Sequence, residues 1–205
     1  MAVRLTWLGH ASVRINGSSA TVYNDPWKIT QKGHADIVLL THDHYDHYSE
    51  SDIKSLMDAS TRVVAPMSTP LVTDIMKPET SLSIRNILIE AVPAYNLNKA
   101  FHPRANGWLG YVVTIDCMKI YHPGDTDRIP EMKGISVDAA FMPVGGTYTM
   151  DAREAGEAVK EIRARHVVPI HYGDIVGSRK DAEQFSRLCS CDVHILNPGE
   201  SIDIG

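Results

Sequence analysis

The feature that most constrains this chain is the stretch Thr41-His42-Asp43-His44-Tyr45-Asp46-His47. Three of the ten histidines and two carboxylates fall within six residues, directly after the run Ala35-Asp36-Ile37-Val38-Leu39-Leu40. An apolar strand that ends in imidazoles and carboxylates describes a site built at the strand's carboxyl end. In extended chain, side chains two apart share a face about 6–7 Å apart, so His42 and His44 can lean onto one metal ion. Asp46 and His47 come where the chain must turn and can serve a second ion. The plain alternative is a solvated polar loop; because neutral imidazole is the commonest metal ligand, a cluster this dense favours the metal.

The flanking sequence reads as alternating strands and helices. Val3, Leu5 and Trp7 form a strand ending at Gly9-His10. Ser12 to Asn16 and Ala20 to Tyr23 make two more, joined by Asn16-Gly17, a type I′ hairpin signal. Ser49 caps a helix with Ile53, Leu56 and Met57 on one face. Arg62 to Ala65 is a strand, Pro70 to Met76 a short helix, and Leu82 to Val92 one or two strands. Residues 94–106 are loop, broken by Pro103 and Gly107. Strands follow at Gly110 to Ile115, Lys119 to His122 and Val137 to Met142. Asp151 caps a helix with Ala155, Ala158, Val159 and Ile162 inward. After a strand from His166 to Ile170, Ser178 caps a last helix with Ala182, Phe185 and Leu188 inward. Val193 to Leu196 and Ile202 to Ile204 close the chain. Several strands then helices in each half imply two mixed sheets with helices outside, a four-layer α/β arrangement within one domain spanning residues 1–205.

Three later strand ends carry the same signature: Asp125 after Lys119-Ile120-Tyr121-His122, His171 after Val167-Val168-Pro169-Ile170 and, less clearly, the segment after Ala91-Val92-Pro93. Strand ends on one edge converge. A two-metal site is then arithmetically possible, with His42 and His44 on one ion, Asp46, His47 and His171 on the other, and Asp125 bridging.

The HxHxDH core, Gly124-Asp125-Thr126 and the late His171, in that order, resemble the metallo-β-lactamase superfamily. Trp7-Leu8-Gly9-His10-Ala11-Ser12 and Tyr121-His122-Pro123-Gly124-Asp125-Thr126 are similar to its branch of small hydrolases that includes the ascorbate-phosphate lactonases. The resemblance runs over nearly the whole chain and implies an αββα sandwich with one or two ions, usually zinc, with manganese or iron as alternatives. In the family a third histidine of the first ion usually follows Pro-Ala/Gly-x after the strand that ends near Val92. Here Pro93-Ala94-Tyr95 is followed by Asn96. Three readings stay open: Asn96 as an oxygen ligand, His102 swinging in, or two histidines completed by Asp125 and water. His102 is preferred, because imidazole binds these metals better than a neutral amide; an exposed loop histidine is the other reading of it.

Around this centre His10 and His122 are placed as supporting or substrate residues. A turn histidine and a core-facing histidine are the respective alternatives. Asp25 is read as a carboxylate orienting a ligand histidine or as an Asx turn before Pro26. Tyr148 and Thr149 line the pocket or fix their turn. Asp43 and Tyr45 point away, and His34, His166 and His194 are structural.

The chemistry implied is hydrolysis of a small ester, lactone or phosphodiester, with Asp46 as ligand and base. A metal-binding sensor without turnover is the competing class, supported by Asn96 alone. A nuclease is disfavoured by the net charge of −5. No helical substrate domain, large inserted domain or flavodoxin partner is visible in 205 residues, which points to a small-molecule substrate. The start shows no signal-peptide pattern and no run reaches the roughly eighteen apolar residues of a span. Cys117, Cys189 and Cys191 read as small buried thiols of a cytoplasmic protein.

Overall fold

The alternating residues of the chain's opening become three antiparallel strands, β1 (Val3–Gly9), β2 (Ser12–Asn16) and β3 (Thr21–Asn24). A computed structural model describes residues 2–30 and 33–205. The hairpin between β2 and β3 departs from the type I′ expectation. Gly17 N–H donates to Ala20 O at 3.0 Å, so Ser18-Ser19 are the central pair, and neither Asn16 nor Gly17 has positive φ. Asp116, reaching over from a later turn, accepts from both the backbone and hydroxyl of Ser18 and fixes the loop instead.

The apolar run becomes β4 (Ile37–Leu39), parallel to β3. It is buried on both faces. Ile37 and Leu39 enter the core between the sheets, while Val38 packs with Ile53 and Leu56 of α1 (Glu50–Leu56) on the outer face. A central parallel strand covered on both sides needs apolar residues without alternation. Parallel β5 (Arg62–Ala65) and β6 (Asp74–Ile75) extend the sheet. The expected helix at Pro70–Met76 is instead a turn followed by β6. Its β-branched Val72, Thr73 and Ile75 disfavour helix, and the Thr73 hydroxyl donates to Val63 O at 3.1 Å while accepting from Val63 N–H at 2.9 Å.

The second half repeats the plan. Strands β7 (Ser81–Ile84), β8 (Ile87–Pro93), β9 (Leu109–Ile115) and β10 (Met118–His122) are antiparallel in succession. Then β11 (Ala139–Pro143), β12 (His166–Ile170) and β13 (Asp192–Val193) add in parallel. Strand β14 (Ser201–Ile204) returns to pair with β1. The described residues thus form two seven-stranded mixed sheets, ordered β14-β1-β2-β3-β4-β5-β6 and β13-β12-β11-β10-β9-β8-β7. Helices α2 (Ala152–Ile162) and α3 (Arg179–Leu188) join the core through Ala155, Ala158, Ile162, Ala182 and Phe185.

Asp151 Oδ1 caps α2 by accepting from Arg153 and Glu154 N–H, and Asp181 Oδ2 accepts from Ser178 N–H at the start of α3. Leu188, expected inward, is 40% exposed, because α3 ends there and its side chain lies across Gly156 of α2. The closing strand expected to reach Leu196 leaves the sheet after Val193. Cys117 is exposed in a turn rather than buried, and Cys189 and Cys191 are half-buried; all three are free thiols. No helix among the described residues is long and apolar enough to cross a membrane. This architecture is the αββα sandwich of the metallo-β-lactamase fold.

Candidate metal centre

The carboxyl ends of β1, β3 and β4 in one sheet and of β8, β10 and β12 in the other meet along one edge. Two bonds join the sheets there: Leu109 N–H to Thr41 O at 3.1 Å and His171 N–H to His10 O at 2.8 Å. Tyr111 Oη adds a third by donating to Leu40 O at 2.7 Å. Each sheet delivers loops onto this edge, and the loops carry the ligand-type side chains.

From the first sheet come His42, His44, Asp46 and His47, held by a buried scaffold. Asp25 accepts from Thr41 N–H at 2.8 Å, from Thr41 Oγ1 at 2.6 Å and from His47 Nδ1 at 2.8 Å. With its own proton given to Asp25, Thr41 Oγ1 accepts from His42 Nδ1 at 2.9 Å. One carboxylate therefore sets the tautomer of two histidines, leaving the Nε2 lone pairs of His42 and His47 for the centre.

From the second sheet comes Asp125, behind a turn that only glycine permits. Gly124 has φ +67°, and a Cβ there would lie 2.8 Å from Leu109 O. His122 supports the same turn, donating from Nε2 to Ala11 O at 2.9 Å and accepting Gly124 N–H at Nδ1 at 3.2 Å. Both of its ring nitrogens are used by backbone, so it braces the Asp125 loop and does not face the cluster.

Asp125 lies among the imidazoles. Its Oδ1 is 3.2 Å from His47 Nε2, and its Oδ2 is 3.3 Å from His102 Nε2 and 3.1 Å from His171 Nε2. The ligand atoms form overlapping groups, each within 4.8 Å: His42, His44 and His102; His10, Asp46, His47 and His171; and His42, His47 and Asp125. In the first group His42 Nε2 is 3.1 Å from His44 Nδ1. In the second, His10 Nε2 is 3.0 Å from Asp46 Oδ2, so His10 stands within the group.

The loop after β8 brings Asn96 and His102 into contact with each other. Asn96 Oδ1 accepts from His102 N–H at 3.1 Å and from His102 Nδ1 at 3.0 Å. Its Nδ2 donates to Asp127 Oδ1 at 3.0 Å and Tyr148 O at 2.9 Å. Its amide is thereby committed to the protein, and it aims His102 Nε2 at the group.

The donor set fits a cation. Among the described residues, His10 Nδ1, His47 Nε2, His102 Nε2, Asp125 Oδ1 and both ring nitrogens of His171 are buried without a hydrogen-bond partner, a costly arrangement for polar atoms unless something else satisfies them. Burial, helped by nearby His47, pushes the His42 imidazole well below its ordinary value. Burial acts the same way on His44 and His10, with a weaker result. At His47 burial also opposes charge, but Asp125 and Asp25 together overcome it and raise the imidazole well above its ordinary value. Burial raises the Asp125 carboxyl, yet His171 and His47 more than reverse this and hold it well below the usual range.

Sequence reading did not single out Thr41 or Trp108. Trp108 packs its ring 4.9, 4.8 and 5.4 Å from those of His42, His44 and His102. A threonine before the motif and a tryptophan after a loop carry no signal on their own. Nor does sequence show that His10, Asp25 and His171 all have positive φ, a backbone strain that tends to collect at functional sites. Tyr45, expected to point away, lines the cavity over the centre together with Phe101, Tyr148 and Ile175. Thr149 is buried in its turn and lines nothing there.

Comparison with known proteins agrees with this geometry. The model of the β-lactamase superfamily domain matches residues 4–171. A UPF0173 metal-dependent hydrolase of Methanoculleus marisnigri is 33% identical, covering 99% of this chain and 97% of its own length. A crystal structure from Parabacteroides distasonis, titled as a metal-dependent hydrolase, superposes with a TM-score of 0.84 at 30% identity, covering 97% of this chain and 94% of that one. A metallo hydrolase from Ignicoccus hospitalis shares the fold with a TM-score of 0.83 at 21% identity, covering 100% and 99%. None of these names specifies a substrate. The chain belongs to the metallo-β-lactamase superfamily, among relatives named metal-dependent hydrolases.

Proposed function

We propose that this chain is a single-domain hydrolase that uses one or two divalent ions, zinc first with manganese or iron as alternatives, on a small ester, lactone or phosphodiester. The observation that carries the reading is the set of buried, unpartnered imidazole and carboxylate atoms converging on Asp125 beneath an open cavity. His42, His44 and His102 would hold one ion, Asp46, His47 and His171 the other, with Asp125 shared and His10 beside Asp46. Such ions supply Lewis acidity, lowering the pKa of water from about 16 to near 7 and polarising the bond attacked.

The chain's own residues supply the rest. Burial raises the Asp46 carboxyl, but the His10 bond and the His47 charge outweigh it and keep the group below its ordinary value, ionised at neutral pH. With His10 Nε2 donating to Oδ2, Asp46 is held in place. It takes the proton of the attacking water and returns it to the leaving oxygen, so an ester and water become an acid and an alcohol. The sensor alternative rests on the missing imidazole at Asn96, and the place of His102 beside His42 and His44 speaks for the hydrolase.

The test is metal content by mass spectrometry together with turnover of 4-nitrophenyl butyrate and bis(4-nitrophenyl) phosphate. Wild type should bind metal and turn over at least one substrate. Asp46→Ala should lose about 10²- to 10⁴-fold in kcat. Full activity in that variant, or a protein that holds no metal, overturns the reading.

A further inference from the structure

We infer that the substrate is an uncharged carboxylic ester, open-chain or cyclic, whose aryl or short alkyl group packs on the aromatic wall of the cavity. This rests on the hydrolase reading and narrows it. The cavity holds about 230 Å³, below the roughly 300–1,000 Å³ that houses a drug-sized ligand, so it takes a small molecule. Its floor is His44, Asp46, His102 and Asp125; its wall is Tyr45, Phe101, Tyr148 and Ile175.

Tyr45 is 68% and Phe101 47% exposed. Phe101 meets Tyr148 edge to face, with centroids 4.7 Å apart, and Tyr45 meets Trp27 at 6.2 Å. Large apolar rings left open beside polar chemistry mark a binding surface. Apart from the proposed ions, the lining offers no side-chain cation for a phosphate: no described residue there is lysine or arginine. Lys99, on the loop that carries Phe101, is paired with Asp127, and Lys28, next to Trp27, with Asp174 at 2.7 Å. The net charge of −5 disfavours an anionic substrate further. In the reaction, the oxygen of water bonds to the acyl carbon, the acyl–oxygen bond breaks, and the departing alcohol takes the proton held by Asp46.

Two measurements test this. The first is NMR titration of the zinc-loaded protein with the uncharged, non-hydrolysed N-phenylbutanamide and with phenyl phosphate. The amide should bind more tightly, and Phe101→Ser and Tyr148→Ser should each weaken it about tenfold while circular dichroism is unchanged. Tighter binding of phenyl phosphate, or amide binding indifferent to both substitutions, overturns the inference. The second compares kcat/KM for 4-nitrophenyl butyrate and bis(4-nitrophenyl) phosphate on the metal-loaded enzyme. A preference for the ester supports the inference. A preference for the phosphodiester overturns it and leaves the hydrolase reading standing, whereas amide binding without turnover of either substrate sinks the hydrolase reading and keeps the uncharged pocket.

Discussion

The two ligand groups that share Asp125 are built differently. The His42–His44–His102 group has three imidazoles and no carboxylate of its own, and His44 and His102 face the cavity. The His10–Asp46–His47–His171 group mixes imidazoles with a carboxylate, and only His44's counterpart on that side, Asp46, opens to the cavity. Imidazole suits zinc and iron, while carboxylate also accepts harder ions such as manganese. On the proposed reading the difference would separate two tasks: the first group would anchor an ion, and the second would place a base beside the reacting water. They are not independent, because Asp25 orients His47 directly and His42 through Thr41.

That shared brace gives the largest expected effect. The Asp25 carboxylate accepts three hydrogen bonds and donates none. In Asp25→Asn the amide nitrogen must face a donor, whichever way it is turned, and one tautomer loses its reason. Affinity for both ions should fall about 10- to 100-fold, read by competition with a chelator of known strength. If only one ion weakens, the two groups are braced separately and the shared scaffold is wrong.

Asn96 sharpens the contrast from the other side, because its carbonyl orients His102 alone. Asn96→Ala should weaken one ion by about 10- to 100-fold and leave the second unchanged in the same competition assay. Equal weakening of both would mean that the ions bind only as a pair.

This asymmetry also explains what the sequence could and could not disclose. Most of the first sheet's contribution is contiguous: a doubly buried strand must be apolar, and four ligand-type side chains follow it within a few residues, so His42 to His47 stand out. The second sheet's contribution is spread over three loops, and each residue there gains meaning from a partner far along the chain. Asp125 and His171 were still visible because each follows an apolar strand. His102 and Asn96 lie in a loop without periodicity, and their division of labour depends on a hydrogen bond that spacing does not encode. His10 stands near the centre, and the turn after β1 that brings its ring to 4.0 Å from that of His171 has no signal in spacing. The misread helix at Pro70–Met76 has the same origin. Its residues have weak local preference, and pairing with β5 decided the outcome.

The smallest effect concerns a histidine that belongs to neither group. His122 is buried with Nε2 donating to Ala11 and Nδ1 accepting from Gly124, an arrangement possible only for the neutral ring. Burial pushes its imidazole below the ordinary value of 6.5. The unfolded chain therefore binds this proton more readily than the folded one, so its effect on stability is absent above about pH 6.5 and grows as the pH falls towards the folded value. With a chelator present, the urea midpoint of wild type should drop between pH 7 and pH 5. His122→Gln, which keeps a donor for Ala11 and cannot titrate there, should drop less, by up to about 1.4 kcal/mol for each pH unit crossed. Metal stoichiometry should not change, since neither ring nitrogen of His122 faces the centre. An unchanged pH slope in the variant would mean that His122 is neutral in both states and that the acid sensitivity belongs to the two ligand groups themselves.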